Sequence, residues 1–323
     1  MIKVGVVGAT GLVGETMIEV LQDRSFPSES FHPFASNKSE GKTVRFRNTD
    51  YPVEIITPEA ISKGMILFGA TSANIAKKWI PMCIEAKALV IDNSSAYRMN
   101  PDVLLVVPEV NGHLITGKEK IIANPNCSTI QLVAALAPLR QLGKIQWVSV
   151  ATYQAVSGAG TPALEELKKQ QDANPPENPA VRIHENIITS IGPPDESGYC
   201  NEEIKLMKES CKIMGLNIPV FAATARVPVR TGHTEAVVVK FDNPVHCDEA
   251  ATTLHKAHGI AVTKSGSSPI DVEGTDIVVV DRIRNHPGDP SVLQFWVLAD
   301  NLRKGAALNA VQIAEEYLRR QKH

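Results

Sequence analysis

Short apolar runs alternate with helix-spaced stretches along the first part of the chain. Residues 2–7 read as a buried strand and 15–21 as a helix, with Gly8-Ala9-Thr10-Gly11-Leu12-Val13-Gly14 between them. Further buried-strand patterns lie near 31–35, 65–69, 88–92 and 120–123. The run at 65–69 leads into a helix, and so does 120–123, after which Leu132, Val133, Ala135, Leu136 and Leu139 recur at helical spacing until Pro138 and Gly143 end the run. Repeated strand–helix alternation predicts an α/β fold with a Rossmann-type, doubly wound parallel sheet, whose ligands sit beyond the carboxyl ends of its strands. The loops at Gly8, Thr71, Asn93 and Cys127 all fall there, so one crevice is expected to hold both a cofactor loop and a thiol.

Beyond Gly143 the texture changes. Residues 146–156 are strand-like and precede Ser157-Gly158-Ala159-Gly160, whereas 172–194 is rich in Pro and Asn and reads as irregular. A helix is expected at 201–214, then strands at 220–227, 234–241, 278–283 and 293–299. This is an α+β pattern with a largely antiparallel or mixed sheet, a second domain. The final helix, 305–320, carries Ala306, Leu308, Val311, Ile313, Ala314 and Leu318 roughly on one face and is expected to return to the first domain. No internal repeat or low-complexity segment is seen.

The length of 323 residues suffices for two domains, and 43% hydrophobic with 21% charged residues is ordinary globular composition. A formal charge of −2 gives no electrostatic reason to expect a nucleic-acid or anionic-membrane partner. The five cysteines, Cys83, Cys127, Cys200, Cys211 and Cys247, are odd in number and form no C-x-x-C pair or Cys/His cluster, so neither a disulfide framework nor a bound metal is expected. No apolar run approaches a membrane span and no leader-like pattern precedes the first strand, which leads us to expect a reducing, cytoplasmic location.

Three stretches carry candidate chemistry. The spacing G-x-x-G-x-x-G at Gly8, Gly11 and Gly14 meets the demands of a dinucleotide turn: a tight bend, close approach of backbone to pyrophosphate, and a helix meeting a strand. Where an NAD-specific fold usually places a carboxylate, the second strand ends in Ser36-Asn37-Lys38-Ser39, a cation and hydroxyls that suit a 2′-phosphate. NADP(H) is therefore expected over NAD. In Asn124-Pro125-Asn126-Cys127-Ser128-Thr129-Ile130-Gln131, Asn126 is a good N-cap and Cys127 the first helical residue, where unpaired N–H groups and the macrodipole favour a thiolate. Those amides also suit an oxyanion on a carbonyl attacked by the sulfur. Taken singly, each such residue has a plainer reading: a cysteine buried at a helix start, a satisfied His233, an Arg226 in a surface ion pair, and Glu202 with Lys205 as an i, i+3 salt bridge. The weight rests on the pattern as a whole.

That pattern combines the glycine turn with Ser94-Ser95-Ala96-Tyr97-Arg98, Asn124 to Gln131, Tyr153-Gln154-Ala155-Val156-Ser157-Gly158, Arg226-Val227-Pro228-Val229-Arg230-Thr231-Gly232-His233 and Asp300-Asn301-Leu302-Arg303-Lys304-Gly305-Ala306-Ala307. In order and spacing these six motifs resemble aspartate-β-semialdehyde dehydrogenase over the whole chain. The resemblance implies NADPH-dependent reduction of β-aspartyl phosphate to aspartate semialdehyde with release of phosphate, toward lysine, threonine and methionine. It implies an NADP-binding domain of residues 1–126 plus 303–323, and a catalytic domain of residues 127–302 through which a homodimer forms. It also implies roles. Cys127 would form an acyl-thioester, Gln154 would orient it, and His233 would be the acid/base, an imidazole titrating near neutrality. Arg226 would grip the substrate carboxylate bidentately. Glu202 would meet the substrate ammonium, and Lys205 and Arg98 the phosphate, with Asn126 beside them. Cofactor contacts would come from Gly8, Thr10, Gly11, Leu12, Val13, Ser36, Asn37, Lys38, Thr71, Ser157, Gly158 and Asn301.

Rival readings are N-acetyl-γ-glutamyl-phosphate reductase, an acyl-CoA reductase on the same scaffold, and a non-catalytic homologue acting as a binding protein. The first usually has glycine before its cysteine, where this chain has Asn126; the last would be expected to lose Cys127 or His233, and both are present.

Overall fold

Two compact units divide the chain, Met1–Asn126 together with Ala306–His323, and Cys127–Gly305. The computed structural model describes residues 2–172 and 181–321, so the stretch read as irregular at 172–194 lies partly outside the described residues.

The first unit runs β1 (Lys3–Val7), α1 (Leu12–Asp23), β2 (Ser30–Phe34), β3 (Thr43–Phe46), β4 (Thr49–Pro52), β5 (Ile66–Gly69), α2 (Ala73–Glu85), β6 (Leu89–Asp92), β7 (Leu104–Leu105), α3 (Pro108–Asn111) and β8 (Ile121–Ala123). Six of these strands form one parallel sheet in the order β2-β1-β5-β6-β8-β7. Gly8 turns at φ +93, and a Cβ on Gly14 would lie 2.1 Å from the Gly8 carbonyl oxygen, so the bend closes only with glycine at both places. Helix α1 starts at Leu12 rather than at residue 15, because the Gly11 carbonyl already accepts the Glu15 N–H at 2.8 Å. The antiparallel hairpin β3–β4 is absent from the pattern reading. It is held through Phe46 and Tyr51, which pack on Phe31 at ring-centroid distances of 4.3 and 5.4 Å.

The C-terminal helix Leu308–Gln321 closes this unit's core. Its Leu308, Val311, Ile313 and Ala314 join Val4, Val6, Phe68 and Ile91 in one buried cluster. Each large aliphatic side chain buried there contributes roughly 1.5–3 kcal/mol.

The second unit begins with α4 (Cys127–Leu139), followed by β9 (Ile145–Gln154), α5 (Thr161–Asp172), α6 (Asn201–Met214), β10 (Val220–Arg226), β11 (His233–Phe241), α7 (Cys247–His255), β12 (Ile260–Thr263), α8 (Pro269–Val272), β13 (Val278–His286) and β14 (Asp289–Ala299). Its sheet is mixed, in the order β10-β9-β11-β14-β13-β12, with β9/β10 and β12/β13 parallel and the other neighbours antiparallel. Every residue of α4 from Ser128 to Leu136 is buried, as expected of a helix apolar nearly all round. Pro138 falls within its last turn. Helix α6 matches the expected 201–214 and ends at Gly215 in the left-handed conformation. Helices α5 and α7 and strand β12 went unread. On the other side of this sheet Phe221 and Tyr153 stand exposed, flanked by Trp147 and Trp296.

Candidate active site

Strand register assembles one row of polar groups in the second unit. Arg226, the last residue of β10, pairs with Gln154, the last of β9. His233 opens β11, and its side chain lies on the same buried face as Val237 and Val239. Cys127 is the first residue of α4, partly buried and reduced. The site thus collects at strand ends and a helix start.

The contacts are specific. Gln154 Nε2 donates to Ser128 Oγ at 2.8 Å and to Glu202 Oε1 at 3.3 Å. Lys205 Nζ lies 3.0 Å from Glu202 Oε2, the i, i+3 pair read from sequence. Glu203 is engaged elsewhere: its carboxylate accepts the N–H groups of Cys200 at 2.9 Å and Thr224 at 3.1 Å, capping α6, which leaves Glu202 as the carboxylate of the row. Arg226 Nη1 donates to the Ala155 carbonyl at 2.6 Å. Burial lowers the pKa of this guanidinium, while the neighbouring Cys127 and Glu202 support its charge. A cation beside Cys127 is what a thiolate needs.

His233 departs from the expectation. Its ring is fully buried, Nδ1 accepts the Ala155 N–H at 3.0 Å, and Nε2 has no partner. Burial first, and Arg226 second, push its pKa down to about 3 instead of leaving it near neutrality. With Nδ1 accepting, the neutral ring carries its proton on Nε2. A Cβ on Gly158 would come within 3.1 Å of Arg226 Nη1 and 3.3 Å of His233 Nε2, so glycine leaves the space in front of both groups open.

Among the expected cofactor residues, Asn301 and Ser157, far apart in sequence, are bonded in the second unit: Asn301 Nδ2 donates to Ser157 Oγ at 2.8 Å and its Oδ1 accepts the Gly232 N–H at 2.9 Å. In the first unit Gly8, Gly11 and Gly14 form the strand–turn–helix bend, with Leu12 and Val13 in the first turn of α1. Gly8 and Gly11 use their N–H groups inside the bend, on the Phe34 and Gly8 carbonyls, and the absent Cβ of Gly14 lets α1 pack on Gly8, so it is the start of α1 at Leu12 and Val13 that fits a pyrophosphate. Thr10 Oγ1 lies 3.0 Å from Ser39 Oγ, tying this bend to the end of β2, where Ser36, Asn37 and Lys38 are exposed. Thr71 Oγ1 accepts the Trp79 indole N–H at 3.2 Å. Arg98 belongs to the first unit, donating to the carbonyls of Asn124 at 2.9 Å and Asn93 at 2.5 Å. Asn126 is buried immediately before Cys127. Sequence reasoning missed Ser128, whose hydroxyl is a contact no motif announces, and the Ala155 backbone, which bonds both Arg226 and His233.

Among the described residues no cluster of metal ligands is present, and no helix is long and apolar enough to cross a membrane.

The chain matches known families. Residues 3–118 match the semialdehyde dehydrogenase NAD binding domain, and residues 136–304 the semialdehyde dehydrogenase dimerisation domain. The chain is 43% identical to the aspartate-semialdehyde dehydrogenase of Aquifex aeolicus over 97% of each chain. Among solved structures, aspartate semialdehyde dehydrogenase II from Vibrio cholerae complexed with ASA superposes with a TM-score of 0.93 at 39% identity, covering 98% of each chain. The Candida albicans aspartate semialdehyde dehydrogenase with NADP gives 0.78 at 26% identity, covering 99% of each.

Proposed function

The chain belongs to the aspartate-semialdehyde dehydrogenase family, and from that premise we propose which of its residues carry out the reductive dephosphorylation of aspartyl phosphate to aspartate semialdehyde. The observation that carries the reading is the row Gln154, Glu202, Arg226 and His233 beside a helix-start Cys127 that interacts with the Arg226 guanidinium.

Arg226 holds the substrate carboxylate, and Glu202 its ammonium. Lys205 and Arg98 bind the phosphate. Cys127 Sγ attacks the acyl carbon; the C–S bond forms as the bond to the phosphate oxygen breaks, and phosphate leaves with the electron pair. NADPH, when bound, supplies the hydride that takes the thioester to the aldehyde level. Charge then develops on the acyl oxygen, and collapse expels the Cys127 thiolate without a net proton transfer to that oxygen. A fixed donor suffices there, and the Nε2–H of neutral His233 provides one. Gln154, tied to Ser128 and Glu202, orients the acyl group. Gly8 and Thr10 to Val13 would hold the cofactor's pyrophosphate and Ser36 to Lys38 its 2′-phosphate, and Thr71, Ser157, Gly158 and Asn301 would be further contacts. The fit of the glycine bend and the bound NADP of the Candida albicans relative support this.

A homodimer forms through the outer face of the second unit's sheet, where Phe221 is 53% and Tyr153 38% exposed. The matched dimerisation domain supports that assembly, and the five free cysteines agree with a cytoplasmic location.

The test is nicotinamide absorbance with purified protein, aspartate semialdehyde and phosphate, comparing NADP with NAD and repeating without phosphate. Phosphate-dependent NADP reduction is expected. Activity confined to N-acetylglutamate semialdehyde, or independent of phosphate, would overturn the reading.

A further inference from the structure

Beneath α4 lies a polar group that the acyl-transfer chemistry does not use. Glu235 is 0% exposed on the inner face of β11, on the same side as His233, and neither of its carboxyl oxygens has a hydrogen-bond partner. Thr152 stands opposite it on β9, and Gln131 faces it from α4. Both are buried, and Thr152 Oγ1 and Gln131 Oε1 also lack partners. The other end of Gln131 is engaged: Nε2 donates to the carbonyls of His233 at 3.4 Å and Val297 at 3.3 Å. Two carbonyl neighbours fix that end as the nitrogen, so Oε1 can only accept.

The donors and acceptors of this nest then decide the protonation state. An ionised Glu235 would set two charged oxygens beside Gln131 Oε1 with little to compensate them: Thr152 Oγ1 is not bonded to them, and the Gln131 N–H groups that face them are already taken by two backbone carbonyls. No cation pairs with Glu235 among the described residues, and a buried charge without one is far costlier than a neutral acid. One proton on the carboxyl supplies a donor that Gln131 Oε1 can accept. Burial also drives the group well above the usual carboxylate range.

We infer that Glu235 is a neutral carboxylic acid which, through Gln131, fastens the start of β11 to α4 and so positions His233 for the reaction. The inference rests on the role given to His233 above. The Ala155 N–H holds the ring at Nδ1, and Gln131 holds the backbone carbonyl of the same residue; Glu235 braces the second of these holds.

The experiment compares wild type with Glu235→Gln and Glu235→Ala. In infrared difference spectra at neutral pH, wild type is expected to show the carbonyl band of a protonated carboxylic acid that Glu235→Gln lacks. Turnover should stay within about threefold in Glu235→Gln and fall about tenfold or more in Glu235→Ala, with KM for NADP unchanged. Absence of the band, a Gln variant as impaired as the Ala variant, or an Ala variant with wild-type kcat would each overturn the inference. If Glu235→Ala fails to fold, the infrared comparison and the Gln turnover still decide. His233→Ala, run in parallel, separates the two readings: retained turnover there sinks the role of His233 itself, whereas its loss beside an unaffected Glu235→Ala sinks only the bracing.

Discussion

The backbone N–H of Ala155 points at Nδ1 of His233 across 3.0 Å, and this single bond makes the buried imidazole a donor at its other nitrogen. An imidazolium would bring two N–H groups face to face at Nδ1. Accordingly, a free-enzyme pH profile should show no histidine-like limb around neutrality, measured as kcat/KM from pH 6 to 8; a limb abolished by His233→Gln would contradict the assignment.

The same burial makes His233 a source of acid lability. Its folded pKa, about 3, lies below the unfolded value, so the unfolded chain binds more protons in between, and stability falls as pH drops from about 6.5 toward 3. Glu235, shifted the opposite way, works against this above its ordinary pKa. Measuring wild type against His233→Gln cancels that second contribution. Urea midpoints at pH 7.5 and 4.5 should show the difference moving by about 2–3 kcal/mol against wild type at the lower pH.

For Glu235 the sign reverses. Its folded pKa is raised, so wild type loses stability as pH rises above the unfolded carboxylate value, while a glutamine does not. The stability of Glu235→Gln relative to wild type should grow between pH 5 and 8, read from paired denaturation curves.

Cys127→Ala should abolish turnover, by about three orders of magnitude or more, with NADPH binding by fluorescence unchanged, since the glycine bend lies in the other unit. Substantial residual turnover would remove the sulfur from the mechanism.

Arg226→Lys should raise KM for aspartate semialdehyde and lower kcat, together about 10–100-fold in kcat/KM. Lysine cannot hold the Ala155 carbonyl and a carboxylate in one plane. Unchanged kinetics would take Arg226 out of the substrate site.

Phe221→Asp should leave a monomer in light scattering at concentrations where wild type is dimeric, because a charge then replaces the exposed ring that packs with Trp147 on the apolar sheet face. A dimer of wild-type affinity would move the interface elsewhere.

What the sequence disclosed followed from local pattern. Asn201–Met214 was legible because its apolar face repeats at helical spacing and a glycine follows it. The pairing of Glu202 with Lys205 was also legible, from i, i+3 spacing on that helix, and the two meet at 3.0 Å. The β3–β4 hairpin was not legible, since Arg45 and Asp50 interrupt a strand pattern that only packing on Phe31 completes. The protonation of His233 and the Glu235 nest were out of reach for another reason. Both depend on which strands lie side by side, and neither β11 beside β9 nor α4 above them is written in any local window.

The helix Leu308–Gln321 has a consequence for synthesis. The cluster it joins is built otherwise from segments that leave the ribosome early, so the nascent first unit stays without Leu308, Val311 and Ile313 until the whole second unit has been made. The second unit is contiguous and can fold first. The dinucleotide fold, although it begins the chain, is therefore the last to be completed, and a circular permutant that opens before Ala306 and joins that helix directly to β1 would reverse the order.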